Sequence, residues 1–435
     1  MTNGTRLAPL RRPAFLIFAA ALILRLIFIL ILEPAPDFTG GDANWYMKNG
    51  RDLVKFGKTL GPLQTAPLYP VFLGVVQVVI PGERLTGFAY SHAEMQTVRV
   101  IQAVFGAGLC VALYWIARRL FGERAGRLAA AIMIVSPALI VESGNLATEG
   151  VYLLGVFGGL ALYVDHRPPL TPRRMVDVGL AFGLATLTRA AFLLFPLAIV
   201  AHLILTERAR WTRLAAALLV SYGLVVSTWT VYNLAVWDRL VIGGEGLWSF
   251  IYQGAEGHAS PEDTDNQIGI TPDLGHAERQ DVLRESAAES ITADPVGWAA
   301  HRVRELADSY LQPHNTVHYG GRSVKDALVD WLKDDRSAGG LVDLTHLESF
   351  WPKLALYVFH FTGLLLGAAG MILAAGRWRA LLPLYAVAIY FTGIHLVLLA
   401  LPRYVFPTYP VFWMFGAALI VRAVDRLRRA RHGLV

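Results

Sequence analysis

Residues 13–32 read PAFLIFAAALILRLIFILIL. At 1.5 Å per residue, a helix of about 20 residues spans the roughly 30 Å hydrocarbon core of a bilayer. Similar apolar runs recur at 98–117, 128–141, 147–164, 175–188, 190–205, 212–234, 354–375, 380–400 and 404–424. This pattern predicts an all-α polytopic membrane protein with about ten transmembrane helices. Composition agrees: of 435 residues, 55% are hydrophobic and 17% charged, against about a quarter charged in soluble chains. Mean hydropathy is +0.46. Two runs, 128–141 and 175–188, are short, and fourteen residues reach only about 21 Å. Each is a tilted partner of its neighbour or leaves a recess in one leaflet.

The charges give the orientation. Of 39 Lys and Arg, 20 fall in the N-terminus, in alternate loops and in the C-terminal tail, where the acids are only Glu123, Asp165, Glu207 and Asp425. With ten spans, all these segments share one side. The positive-inside rule makes that side cytoplasmic. Both termini are then cytoplasmic, and 33–97 and 235–350 face the exterior or periplasm. The net charge of +6 is thus a topology signal and no sign of a nucleic-acid partner. The first run is too long for a secretory signal core, Arg25 interrupts it and no small-x-small site follows, so an uncleaved span is expected. A single cysteine, Cys110, excludes a disulfide framework.

Three regions follow: a membrane module at 1–234 with the outer segment 33–97, a cap at 235–350, and C-terminal spans at 351–435. Within the first outer segment, GGDANWYMKNG (40–50) opens a helix over 42–57, with Trp45, Tyr46, Asn49, Leu53 and Phe56 on one stripe. Gly40 and Gly41 permit a sharp turn before it. APLYPVFLGVVQVVI (66–80) predicts a second interfacial helix, entered through Pro67 and Pro70. The cap carries nine basic and twenty acidic residues and is expected to be small and mostly helical. Its helices are GHAERQDVLRESAAESI (275–291) and one starting at Pro295, with Asp294 as N-cap.

Asp42, Glu149 with Glu142 nearby, Arg189 and Arg403 stand at outer ends of spans in this topology. Charge at membrane depth is costly and marks function by default. Each has a plainer reading. Asp42 is an N-cap or a catalytic carboxylate. Glu149 is a first-turn acid favoured by the helix dipole or a site residue. Arg189 and Arg403 pair with a carboxylate or lipid phosphate, or bind a substrate phosphate with their planar fork. Trp45 and Tyr46 are interface anchors or walls of a sugar site. Arg25, mid-span, must find a partner inside the bundle, and His360 and His395 are expected to be satisfied interior histidines. No His/Asp/Glu cluster has ligand spacing, so neither a metal nor another cofactor is indicated. No phosphate loop or nucleophile elbow is present in the sequence, so energy for chemistry must arrive in an activated substrate.

Six stretches taken in order carry a resemblance: GGDANWYMKNGRDLVKFG, APLYPVFL, NLATEGVYLLGVFGGLALY, GLATLTRAAFLLFPL, DPVGWAAHRVREL and LPRYVFPTYP. Together they resemble the GT-C superfamily of integral-membrane glycosyltransferases, closest to the branch of protein O-mannosyltransferases and the lipid A aminoarabinose transferase. The resemblance implies a cell-envelope enzyme of the inner membrane. It would move a sugar, with inversion, from a polyprenyl-phosphate donor to a hydroxyl of a glycolipid, polysaccharide or protein. It implies a catalytic role for Asp42, donor-phosphate contacts from Arg403, Arg189 and Tyr404, and an acceptor or sugar site at Glu149, Trp45, Tyr46 and Tyr69. One departure is "DA" at 42–43, where many relatives carry adjacent acids.

The chemistry is compatible. Displacing phosphate from an anomeric carbon passes through an oxocarbenium-like state, and the phosphate leaves as a stabilised anion. One carboxylate must take the acceptor's proton, and cations must meet charge developing on the phosphate. A recess beside Arg189 would keep an isoprenoid chain in lipid while its phosphate reaches the site. The rival readings are a lipid-linked-saccharide transporter or flippase, which predicts ionisable residues deep in several spans, and an O-antigen polymerase or ligase, for which LQPHNTVHYGGR (311–322) speaks.

Overall fold

The structure, a computed structural model, describes residues 8–34, 42–59, 63, 65–80, 82, 90–164, 169–257, 267–271 and 274–431. No strand occurs among them. Helix α1 (Ala8–Ile27) runs into a π turn at Phe28–Leu32. It is followed by α2 (Asp42–Phe56), α3 (Leu68–Val79), α4 (His92–Phe121), α5 (Glu123–Ile134), α6 (Pro137–Gly144), α7 (Glu149–Val164), α8 (Pro172–Thr188), α9 (Phe195–Thr206) and α10 (Trp211–Trp237). Next come α11 (Leu247–Glu256), α12 (His276–Ala293), α13 (Pro295–Leu311), α14 (Val324–Asp330) and α15 (Ala338–Asp343). The chain ends with α16 (Phe350–Leu373), α17 (Trp378–Val397), α18 (Pro402–Val405) and α19 (Tyr409–Arg431).

Each of the ten apolar runs is largely helical, and the chain is a multi-pass membrane protein. Among the described residues, six helices are long and apolar enough to cross a bilayer, or seven if α5 and α6 form one span bent by 52°. Pro137 causes the bend, because a proline disfavours helical backbone at the residue before it and removes a donor. The remaining runs, α7, α8 and 190–206, are too short to cross upright.

The chain divides into two compact units: Met1–Gly243 with Val358–Tyr385 and Tyr409–Val435, and Gly244–Tyr357 with Ala386–Thr408. In the first, α4 is the central helix, packed by α1, α5 and α7. It starts at a reciprocal cap: Ser91 Oγ accepts from Glu94 N at 3.1 Å, and Glu94 Oε2 accepts from Ser91 N at 2.7 Å. Small residues let backbones meet where lipid supplies no hydrophobic drive. A Cβ on Gly179 of α8 would overlap Ser221 Oγ and the Leu218 carbonyl of α10.

Buried cations in this unit find carbonyls. Arg25 is fully buried and donates to the Ala21 carbonyl at 3.1 Å and to Cys110 Sγ at 3.6 Å. Arg99, a second fully buried arginine inside the run 98–117, donates to the carbonyls of Gly144 (3.0 Å) and Ile29 (3.2 Å) and lies 3.7 Å from Glu33. His360 is half-buried and stacks on Tyr409, ring centroids 6.1 Å apart.

In the second unit, α11 and α12 bury Tyr252, Ile270, Leu283 and Ala287. The expected cap on α13 is present: Asp294 accepts from Gly297 N at 2.9 Å, with Pro295 in the first turn. This unit also takes in residues 386–408, which the sequence reading assigned to the C-terminal spans.

Candidate active site

The helix that opens at Asp42 has two distinct faces. Ala43, Met47 and Gly50, at helical spacing, are buried against α3 and α4 in a cluster with Tyr69, Leu73, Val76, Met95 and Val98. A Cβ on Gly50 would overlap the Pro70 carbonyl, and one on Gly74 the Gly50 carbonyl, so α2 and α3 cross backbone to backbone. The aromatic stripe expected to anchor α2 lies largely outward, with Trp45 40% and Phe56 71% exposed. Glycine and alanine carry little hydrophobic signal, which hid the true packing face. The turn at Gly40 and Gly41 lies outside the described residues.

Asp42 is exposed in the first turn of α2. Trp45 and Tyr46 follow at three and four residues, which puts all three on one side of the helix. The rings form a ladder across the helices: Trp45 to Tyr46 at 5.4 Å, Tyr46 to Tyr69 at 5.3 Å, Tyr69 to Phe72 at 6.0 Å. The first two contacts are edge-to-face and the third is tilted, and such contacts fix ring orientation. Tyr69 is fully buried and its hydroxyl donates to Gln102 Oε1 at 2.8 Å. The Gln102 amide in turn donates to the Asn145 carbonyl at 2.6 Å. Burial, then the nearby carboxylate of Glu142, the Tyr46 phenol and Glu149, push the Tyr69 phenol well above its usual range, so it stays a hydrogen-bond donor. Gln102 was overlooked in the sequence, although an amide inside an apolar run is a readable signal.

Glu149 opens α7, and Arg189 ends α8 with extended backbone (φ −147°, ψ 117°). The structure joins them: Arg189 Nη1 lies 2.8 Å from Glu149 Oε1, with the side chains 17% and 5% exposed. Thr148 Oγ1 donates to the other carboxylate oxygen at 3.3 Å, and the guanidinium sits 5.8 Å from the Tyr152 ring centre. The carboxylate partner weighed for Arg189 is therefore real. Glu142 is buried as well, at 2%.

Beside this pair lies an apolar cavity of about 600 Å³ between α4, α7 and α8. Phe105, Val111, Leu154, Gly158 and Leu184 are among its walls, with Arg174 lining one end of α8 and Thr188 the other. From Arg174 to Thr188 the helix rises about 21 Å. Thr188 is the residue before Arg189, so this end of the cavity lies next in the chain to the ion pair.

Arg403 and Tyr404 form a pair of their own within the second unit. Arg403 Nη2 donates to Tyr404 Oη at 3.1 Å, and the guanidinium stands 5.0 Å from that ring's centre. Tyr404 is buried, stacked on His395 at 5.3 Å and edge-on to Phe250 at 5.8 Å. His395, as expected, is interior and satisfied, 5% exposed with Nδ1 3.0 Å from the Leu399 carbonyl.

No curated protein sequence matches this chain. The sequence profile of the dolichyl-phosphate-mannose-protein mannosyltransferases matches residues 86–232. Among solved structures, the oligosaccharyltransferase of Archaeoglobus fulgidus in the apo form is 14% identical, covering 96% of this chain and 51% of its own, with a TM-score of 0.55. Archaeoglobus fulgidus AglB, solved with an inhibitory peptide and a dolichol-phosphate, is 15% identical, covering 97% of this chain and 52% of its own, at 0.53. ArnT from Cupriavidus metallidurans in the apo state is 16% identical over 96% and 79%, at 0.40. The chain thus spans about half the length of the archaeal enzymes it resembles. The profile match over residues 86–232 and the fold shared with the archaeal structures make this chain similar to the integral-membrane glycosyltransferases of the GT-C superfamily.

Proposed function

We propose that this protein transfers a sugar from a polyprenyl-phosphate donor to an acceptor hydroxyl, with inversion, on the extracytoplasmic side of the cell membrane, both termini being cytoplasmic. One observation carries the reading: an apolar cavity that ends beside a guanidinium held by a buried carboxylate. That combination suits an amphiphile with a long hydrocarbon tail and an anionic head. The isoprenoid chain lies along α8 between α4 and α7, and its phosphate reaches Arg189. Glu149 orients that guanidinium; within the second unit Arg403, steadied by Tyr404, is the donor-phosphate contact that the resemblance implies.

In the transfer, the acceptor oxygen attacks the anomeric carbon from the face opposite the phosphate. The carbon–oxygen bond to the donor breaks, and its electron pair leaves on the phosphate. The acceptor's proton passes to Asp42. No general acid is needed, because the arginines meet the charge that develops on the leaving group. Trp45, Tyr46 and Tyr69 wall the sugar or acceptor site. A flippase is less well supported, because Arg25 and Arg99 are tied to fixed acceptors rather than lining the cavity.

The test supplies the purified protein, in lipid, with a panel of polyprenyl-phosphate sugars and acceptors, and follows release of free polyprenyl phosphate. Release by the wild type and loss of at least about a hundredfold in Asp42→Asn, with normal expression, is the expected result. An Asp42→Asn protein that turns over at the wild-type rate would remove Asp42 from the chemistry.

A further inference from the structure

The second unit contains a fully buried guanidinium that touches neither Arg403 nor its neighbour. Arg302, on α13, is 1% exposed. Its Nη2 donates to the carbonyls of His395 (3.1 Å) and Leu398, its Nε to Leu396 (3.4 Å), and its Nη1 to Gly254 (2.6 Å) and to the buried Glu305 carboxylate. Burial pulls the guanidinium down to about 10, still well above neutrality, so it is cationic at pH 7.

His395 and Leu396 are in the last turn of α17, which ends at Val397. The last four carbonyls of a helix have no intrahelical donor and form its negative pole. One guanidinium from another helix satisfies this end and the loop beyond it. Helix α17 stops there, and the chain turns through 398–401 into α18, which carries Arg403 and Tyr404. The turn is held from its other flank by Leu399 N donating to the Phe250 carbonyl at 2.9 Å. Ala400 and Val405 then pack on Leu306, one turn along α13 from Arg302.

We infer that Arg302 is a positioning residue for Arg403: by clamping the end of α17 it fixes the Arg403 guanidinium where a donor phosphate binds. Two contact routes connect them. The clamped residue His395 stacks on Tyr404, and Tyr404 receives the Arg403 hydrogen bond. Separately, the clamped segment 395–398 leads directly into the turn before Pro402. Glu305 holds the other side of the guanidinium. A lysine at 302 keeps the charge, yet its compact ammonium does not match a fork that reaches carbonyls on two segments.

This inference rests on the reading of Arg403 as a phosphate ligand, and the experiment separates the two. The full-length protein in lipid nanodiscs is titrated with undecaprenyl phosphate and with undecaprenol, which share a tail and differ in the phosphate. The ratio of the two dissociation constants is the phosphate preference. Arg403→Ala is expected to lower it by about tenfold or more, the value of one charge-assisted contact. Arg302→Gln lowers it several-fold, and Arg302→Lys keeps an intermediate value. In the Arg403→Ala background, Arg302→Gln causes no further change, because it acts only through Arg403. A change confined to the amount of folded protein would leave the ratio unmoved. If Arg302→Gln does not fold, His395→Ala interrupts the same route and is expected to lower the ratio. An unchanged ratio in Arg403→Ala overturns the phosphate reading. A lowered ratio there with wild-type ratios in Arg302→Gln or His395→Ala, or an equal loss in both backgrounds, overturns the clamp alone.

Discussion

Replacing Glu149 by glutamine keeps the shape of the side chain and removes its charge. The Arg189–Glu149 contact is 2.8 Å, between side chains 17% and 5% exposed. At an effective dielectric constant of 20, unit charges at that separation attract by at most about 6 kcal/mol. Glutamine still offers a carbonyl oxygen to Arg189, and Tyr152 still faces the cation at 5.8 Å, so most of this is not lost. Breaking a buried pair by removing one partner costs about 3–5 kcal/mol, and the retained hydrogen bond returns about 1. A destabilisation of about 2–4 kcal/mol follows, or a fall of about 5 °C in melting temperature for a protein of this size. Thermal melts of the purified protein in lipid read it. The deciding arm is the double variant Glu149→Gln with Arg189→Met. Once both charges are gone nothing is left desolvated without a partner, so the double variant should melt above either single one. It should also fail to release polyprenyl phosphate if Arg189 meets the donor. A double variant whose loss equals the sum of the singles would refute the pair as a coupled unit.

Two further outcomes follow from packing. Gly74→Ala places a methyl group into the Gly50 carbonyl. It should separate α2 from α3 at a cost of about 1–3 kcal/mol, and lower turnover more than donor affinity because α2 carries Asp42; equal turnover per folded molecule would contradict this. Gly158 lines the cavity and nothing lies within 4 Å of where its Cβ would stand, so Gly158→Leu should fold normally while occupying the tail site. Its KM for a long polyprenyl donor should rise about tenfold while that for a short-chain donor barely moves, and identical KM values for both donors would remove the tail from this cavity.

What the sequence made legible is what has a signature in residue type. The apolar runs announce their helices, Asp294 and Pro295 announce a helix start, and charges at span ends announce candidate site residues. Pairing is another matter. Glu149 and Arg189 were readable as types, yet their contact depends on α7 and α8 lying side by side forty residues apart. The backbone crossing of α2 and α3 depends on Gly50 and Gly74, residues that add no hydropathy to a periodic pattern. Arg99 stood inside a run read only as apolar. Arg302 stood in a motif with no assigned role, because its acceptors are mostly carbonyls, and carbonyls are the same at every position of a chain.

That last point extends over the molecule. Arg119 of α4 donates to the Val164 carbonyl at 3.3 Å, and Arg174 of α8 to Leu162 at 2.7 Å, both at the end of α7. Arg377 donates to Leu120 at 3.0 Å at the end of α4, and Arg99 to Gly144, the last residue of α6. With Arg302 on α17, four helices end on a guanidinium that belongs to another element. In water a frayed helix end costs little, since solvent takes the carbonyls. At or below a bilayer surface that option fades, and unsatisfied carbonyls cost several kcal/mol each. A planar cation with five donors answers two or three of them and opposes the dipole at the same time. Arginines counted as topology signals therefore also hold α4 and α7 at their ends, and through them the cavity walls. By contrast, Arg189 is answered by the titratable Glu149. A guanidinium bound to fixed carbonyls serves the scaffold, whereas one held chiefly by a carboxylate has a partner with which an incoming anion can compete.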